Sequence, residues 1–161
     1  PRSTPLYSSA ASDVYKRQSQ VFILFKEDKA MGATAVHTFP EMGENSYRIL
    51  TRTCIVGGML HNAGSMGRMK RCEDLTSRFY VPKMIQWCGM DSNMYCTTND
   101  LEGGSQRAVH RIWLPIMSKQ GLFTKIKEID YRGVTQTVWK LNPKEFLAHL
   151  ENNPWEDHVL L

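Results

Sequence analysis

Apolar positions along this chain keep a helical period through the middle and turn to strand-like alternation near the end. In GENSYRILTRTCIVGGMLHNAG, Tyr47, Leu50, Cys54 and Ile55 lie at helical intervals, with Asn45 or Ser46 available as N-cap. That spacing predicts a first helix from about 46 to 61. Gly57 and Gly58 weaken it by up to about 1 kcal/mol each relative to Ala. Cys72, Leu75, Thr76 and Phe79 repeat the spacing and predict a second helix from about 69 to 80. Pro82 ends that helix or opens a further turn through Met84, Ile85 and Trp87, since proline is tolerated in a first turn and not in an interior. The polar, Gly-containing stretch 89–104 reads as loop.

The pattern is richest from Ser105 onward. Val109, Ile112, Trp113, Ile116 and Met117 form one apolar helix face, with Ser105 as N-cap and Gly121 at the stop. Pro115 predicts a kink, because it removes the hydrogen bond to the Arg111 carbonyl at a cost of about 3 kcal/mol in an interior. LFTKIKEI and VTQTVWKL, joined by DYRG, are rich in β-branched and aromatic residues and predict a hairpin. Asn142-Pro143 ends it, and Phe146, Leu147 and Leu150 suit a short closing helix at 144–153. At the other end, VFILF and the punctuation of Gly32, Pro40 and Gly43 suggest a linker with a short strand or helix over 19–43.

With 161 residues and 42% apolar composition, one domain with tails is expected. No apolar run approaches the roughly 18 residues of a membrane-spanning helix. Residues 1–18, PRSTPLYSSAASDVYKRQ, resemble translated cloning adapter and are set apart as a non-native leader. The remaining expected divisions are 19–43 as linker, 44–143 as the domain, and 144–161 as an acidic tail or short closing helix. Four cysteines, at 54, 72, 88 and 96, contain no C-x-x-C pair and read as free thiols, with no metal site and no cofactor.

Charge changes the picture more than composition does. Residues 105–144 carry eight Lys or Arg against Glu128 and Asp130, while the tail from Glu145 holds four acids and no Lys or Arg. Three helices followed by a hairpin, with the last helix basic, give an α+β winged helix-turn-helix expectation: three helices plus a C-terminal β-hairpin wing. Arg107 and Arg111 lie one turn apart on the polar helix face, where guanidinium forks suit guanine edges or phosphate. Gln106 and His110 add neutral hydrogen-bonding groups there, and Lys125, Lys127, Arg132 and Lys140 on the wing suit phosphate neutralisation. Trp113, Phe123 and Trp139 read as core.

GSQRAVHRIWLPIMSKQGLFTKI with DYRGVTQTVWKLNP resembles the extended winged helix of the largest subunit of the general factor that recruits RNA polymerase III. The resemblance spans about 46–143 and implies a DNA-binding, transcription-related module in the nucleus, or the nucleoid of a non-eukaryote. Double-stranded DNA is then the expected partner, together with other transcription-factor subunits, and no membrane or small-molecule substrate is expected. An alternative is a winged helix that binds proteins alone. A third is a degenerate form of the zinc-binding module before retroelement integrase domains, which LHNAGSMGRMKRCEDLTSRFYVPKM resembles with Ser65 at the second His position. No Gly-rich phosphate loop or paired-carboxylate motif appears, Glu73 and Asp74 read as helix-surface acids, and the chain is expected not to be an enzyme.

Overall fold

The computed structural model describes residues 18–55, 72–101 and 105–154, apart from the side chains of Ser105 and Gln106. Its frame is a six-stranded sheet in the order β1-β2-β3-β4-β6-β5. The strands are β1 (Ser19–Lys26), β2 (Lys29–Thr38), β3 (Ser46–Ile55), β4 (Asn93–Thr98), β5 (Phe123–Tyr131) and β6 (Val134–Leu141). All neighbours pair antiparallel except β3 and β4. The winged helix is thereby corrected: a sheet of this size and mixed direction replaces the three-helix core.

Two errors of period explain the correction. The segment expected as a first helix, 46–61, is β3 as far as it is described. Its register against β2 slips twice, at His37↔Arg48 to Ala35↔Thr51 and again at Ala33↔Cys54. Each slip inserts an extra residue in β3, and Leu50 (φ 56°) and Arg52 (φ 52°) take left-handed backbone there. An extra residue breaks strand alternation, so the apolar spacing imitates a helix. The stretch expected as loop, 89–104, contains β4. In NMYCTT nearly every side chain is shielded, with Met94, Tyr95, Cys96 and Thr98 buried, so no alternation was there to read. The span 19–43, expected as linker with a short strand or helix, holds the β1–β2 hairpin and a 3-10 turn, Pro40–Met42.

The second predicted helix is present in its described part and runs on past Pro82. A π-turn, Thr76–Tyr80, leads into α1, Val81–Cys88. The basic helix repeats the device: α2 (Ser105–Ala108), a π-turn (Val109–Trp113), then α3 (Leu114–Lys119). In both, the residue before proline bonds back five positions, Val81 N–H to Thr76 O and Leu114 N–H to Val109 O. The wider turn carries the ladder past a proline that has no N–H to give. The hairpin turn is Arg132-Gly133, both at positive φ, and Asp130 Oδ1 accepts the Gly133 N–H at 2.9 Å. The closing helix is α4, Pro143–Asn152.

These helices cover one face of the sheet. Val81, Met84, Ile85, Trp113, Leu114 and Phe146 pack with Val36, Ile49, Met94, Cys96, Phe123, Trp139 and Leu141 in the main core. Phe123 stands against Trp113 and Phe146, with ring centroids 5.9 and 6.1 Å away. On the other face Phe39 meets Tyr95 edge-on at 6.1 Å and packs with Val138. Gly32 in β2 is fixed by a close approach: a Cβ there would stand 2.5 Å from the Tyr80 hydroxyl, which donates to Cys54 O.

Candidate active site

The parallel pair β3–β4 is joined over a short length. Ser46↔Asn93, Tyr47↔Met94 and Arg48↔Tyr95 are in register, and the ladder then ends although β3 continues to Ile55 and β4 to Thr98. The two β3 bulges lie just beyond the last pair. A bulge bends and twists the strand that carries it, so β3 swings away and the two strands splay. Cys96, Thr97 and Thr98 keep their pairing with β6 on the far side. On the near side, backbone donors and acceptors of both strands are left facing a gap.

That gap is a cleft of about 1000 Å3. Its walls are Arg48–Ile55 of β3 and Cys96–Asn99 at the end of β4. The helical side supplies Cys72, Glu73, Thr76, Ala108, Val109 and Trp113, and the opposite side supplies His37, Tyr131, Arg132 and Gln136. The cleft therefore passes between the strands and connects the two faces of the sheet. Thr51 Oγ1, Thr97 Oγ1 and Trp113 Nε1 belong to these walls, are buried, and find no hydrogen-bond partner among the described residues. A buried polar atom without a partner costs roughly 1–3 kcal/mol, which a ligand bearing hydrogen-bonding groups can recover.

Glu73 is the acid among the residues that line the cleft. Its burial, and then the neighbouring Asp74 carboxylate, push its carboxyl up to about 7. It is half-buried in the cleft wall, which corrects the reading of Glu73 as an ordinary helix-surface acid. A carboxyl that exchanges its proton near neutrality can act as general base or acid. Two of the cysteines along the cleft, Cys72 and Cys96, are less reactive. Burial and Glu73 raise the Cys72 thiol, and burial, against a lowering by Arg48, pushes Cys96 up to about 12. Both stay protonated at neutral pH and are poor nucleophiles.

The residues singled out from the sequence lie on the basic helix and on the β5–β6 hairpin. Arg111 grips Asp100 through two hydrogen bonds of 2.6 and 2.7 Å, and Arg107 lies 3.8 Å from the same carboxylate. The acid that occupies both guanidiniums sits in the stretch read as loop. His110 Nδ1 is 2.9 Å from Thr98 Oγ1, which also accepts the Trp139 Nε1 proton at 2.9 Å, so this ring is tied to the sheet. Lys125 reaches Glu128 at 4.0 Å, Lys127 is exposed on the outer strand β5, and Lys140 is half-buried on β6 beside Tyr95. The Gln106 side chain lies outside the described residues. Arg132 alone of this set lines the cleft.

The cleft residues Glu73, Arg48, Thr51, Arg52 and Thr97 were not found as site residues from the sequence. They gather only because bulges open the sheet, and the left-handed Leu50 and Arg52 carry no glycine to advertise them. Of the segment that resembles the integrase zinc module, residues 60–71, His61 among them, lie outside the described residues; among the described residues no group of His, Cys, Asp or Glu is placed to hold a metal. Among the described residues no helix is long and apolar enough to cross a membrane.

No protein-family model matches the chain, and no curated protein sequence matches it. Among solved structures it is similar to one from Desulfovibrio desulfuricans assigned to the GNAT family of acetyltransferases, at 11% identity and a TM-score of 0.47, over 86% of this chain and 82% of that one. A six-stranded sheet stands where the winged helix was expected, which removes the fold on which the expectation of a DNA-binding, transcription-related non-enzyme rested.

Proposed function

We propose that the cleft binds an acyl thioester on an extended, amide-bearing arm of the pantetheine kind, and that the protein transfers the acyl group to an amine. The observation that carries this reading is the splay of β3 from β4. Two parallel strands with unladdered edges offer backbone N–H and C=O groups at strand spacing, and a chain with successive amides pairs with them as an added strand does. Transfer then needs a group to take the proton of the attacking amine. The amine nitrogen bonds to the thioester carbonyl carbon, the C–S bond breaks, the amine proton passes to Glu73, and the departing sulfur leaves as a thiol on taking up a proton. With Cys72 and Cys96 held as thiols, direct attack by the acceptor is favoured over an acyl intermediate on either of them.

The test titrates the chain by calorimetry with S-acetylpantetheine and with an S-acetyl alkanethiol of equal length that lacks the amides. Saturable binding of the first alone is the expected result. With a primary amine present, thiol release should follow and should fall at least tenfold in Glu73→Gln. Equal binding of both thioesters, or thiol release indifferent to Glu73, defeats the reading. The same edges favour a second reading, capture of a peptide strand, in which a short extended peptide binds and the thioester does not.

A further inference from the structure

The cleft is strongly asymmetric in charge. Arg48, Arg52 and Arg132 line it together with His37, and Glu73 stands on the helical side. Among the described residues none of the three arginines is paired with a carboxylate, unlike Arg107 and Arg111 on Asp100 or Lys125 on Glu128. Arg48 and Arg132 instead converge on one ring, with their guanidinium carbons 5.0 and 5.3 Å from the centroid of Tyr131. Arg48 also donates to Gln136 Oε1 at 3.4 Å and lies 6.0 Å from the Phe39 ring.

We infer that this arginine-lined mouth is an anion subsite, and that the acceptor it receives carries a carboxylate or phosphate. Aromatic and amide contacts orient the guanidiniums without neutralising them, which leaves their forked donors for a planar or tetrahedral oxyanion. The backbone holds them in place: Arg48 ends the β3–β4 ladder, Arg52 sits in a bulge, and Arg132 occupies the left-handed first position of a hairpin turn. His37 is in register with Arg48 across β2–β3, and its Nδ1 donates to the Thr38 carbonyl at 2.9 Å, so Nε2 remains to meet a ligand. Charge also sorts the two ends. The acyl carbon then lies beside Glu73 on the helical side, and an acceptor whose amine reaches it through the cleft rests its anionic end on Arg48 and Arg132 across the sheet. The identity of the anion as an acyl acceptor rests on the transfer reading; the anion subsite does not.

Nuclear magnetic resonance titration of the full chain with inorganic phosphate, succinate and the neutral succinamide tests it. Phosphate or succinate should shift the Arg48, Arg52 and Arg132 side-chain N–H signals saturably, with affinity falling as salt rises, and succinamide should not. Tighter phosphate marks a phosphorylated acceptor and tighter succinate a carboxylated one. Arg48→Gln and Arg132→Asn should each weaken anion binding at least tenfold. Asparagine accepts left-handed backbone, so Arg132→Asn keeps the turn, and its melting curve checks this. Succinamide binding as well as succinate, or anion affinity unchanged in both variants, overturns the subsite. S-acetylpantetheine is titrated into the same samples. Its failure with anion binding intact sinks the transfer reading alone, and its success with anion binding absent sinks the subsite alone.

Discussion

Glu73 shows how one residue can be set against the fold that holds it. Burial raises its carboxyl from 4.5 to about 7, so the folded state prefers the neutral form. The linkage follows in sign: the folded protein binds the proton more tightly than the unfolded chain, so the stability associated with protonated Glu73 is fully present below about pH 4.5 and is lost as pH rises to about 7. Glutamine keeps the shape and removes the charge. Glu73→Gln should therefore melt higher than the parent at pH 8 and at the same temperature at pH 4, by circular dichroism at both values. An equal change at both pH values would mean that packing, and not the buried charge, sets the difference. The same substitution should slow thiol release, so a variant gaining stability while losing turnover is the expected signature of a strained functional acid. From the sequence, Glu73 beside Asp74 looked like an ordinary acidic helix turn, because burial in a cleft wall is a property of the assembled sheet.

At the level of elements, what could be read depended on whether local pattern survives assembly. The β5–β6 hairpin and the helix before it were legible, since turn chemistry at Arg132-Gly133 and the apolar face through Val109 and Trp113 are local signals. At Pro115, where a kink is expected, a π-turn precedes the proline, and its longer hydrogen bond goes around the missing donor. Strand β3 was illegible because the bulges that make the cleft also scramble its period, and β4 because both its faces are shielded. The bulges carry a testable cost. Arg52 at φ 52° is a non-glycine residue in a region that disfavours side chains, most of all β-branched ones. Arg52→Val should destabilise the protein by about 1–2 kcal/mol, and Arg52→Gly should change it by less than about 0.5 kcal/mol, because relief of strain offsets the added freedom of the unfolded chain. Urea denaturation of the pair reads this difference. Similar midpoints for Val and Gly would show that β3 does not hold left-handed backbone at this position.

Across the whole molecule, the sheet behaves as two antiparallel halves, β1-β2-β3 and β4-β6-β5, meeting along a short parallel seam. Below the seam the halves are clasped by Asn93 N–H to Asn45 O at 2.9 Å and by Tyr47 against Trp87 at 5.6 Å. Above it they part, and the cleft takes the place of a ladder. Open backbone groups exchange their hydrogens readily unless a partner covers them, so the two sides of the cleft should be the least protected part of an otherwise continuous sheet. An amide-bearing arm that bridges the halves would supply those partners and stabilise the folded state by mass action. Hydrogen exchange read by mass spectrometry should then show slower exchange in peptides covering 49–55 and 96–99 when S-acetylpantetheine is added, with β1 and α4 unchanged. The alkanethiol ester, which has no amides to pair, should leave the same peptides as they were. Protection spread evenly over the chain would instead indicate general stabilisation from a ligand bound elsewhere, and the splayed strands would lose their claim to be the place where it binds.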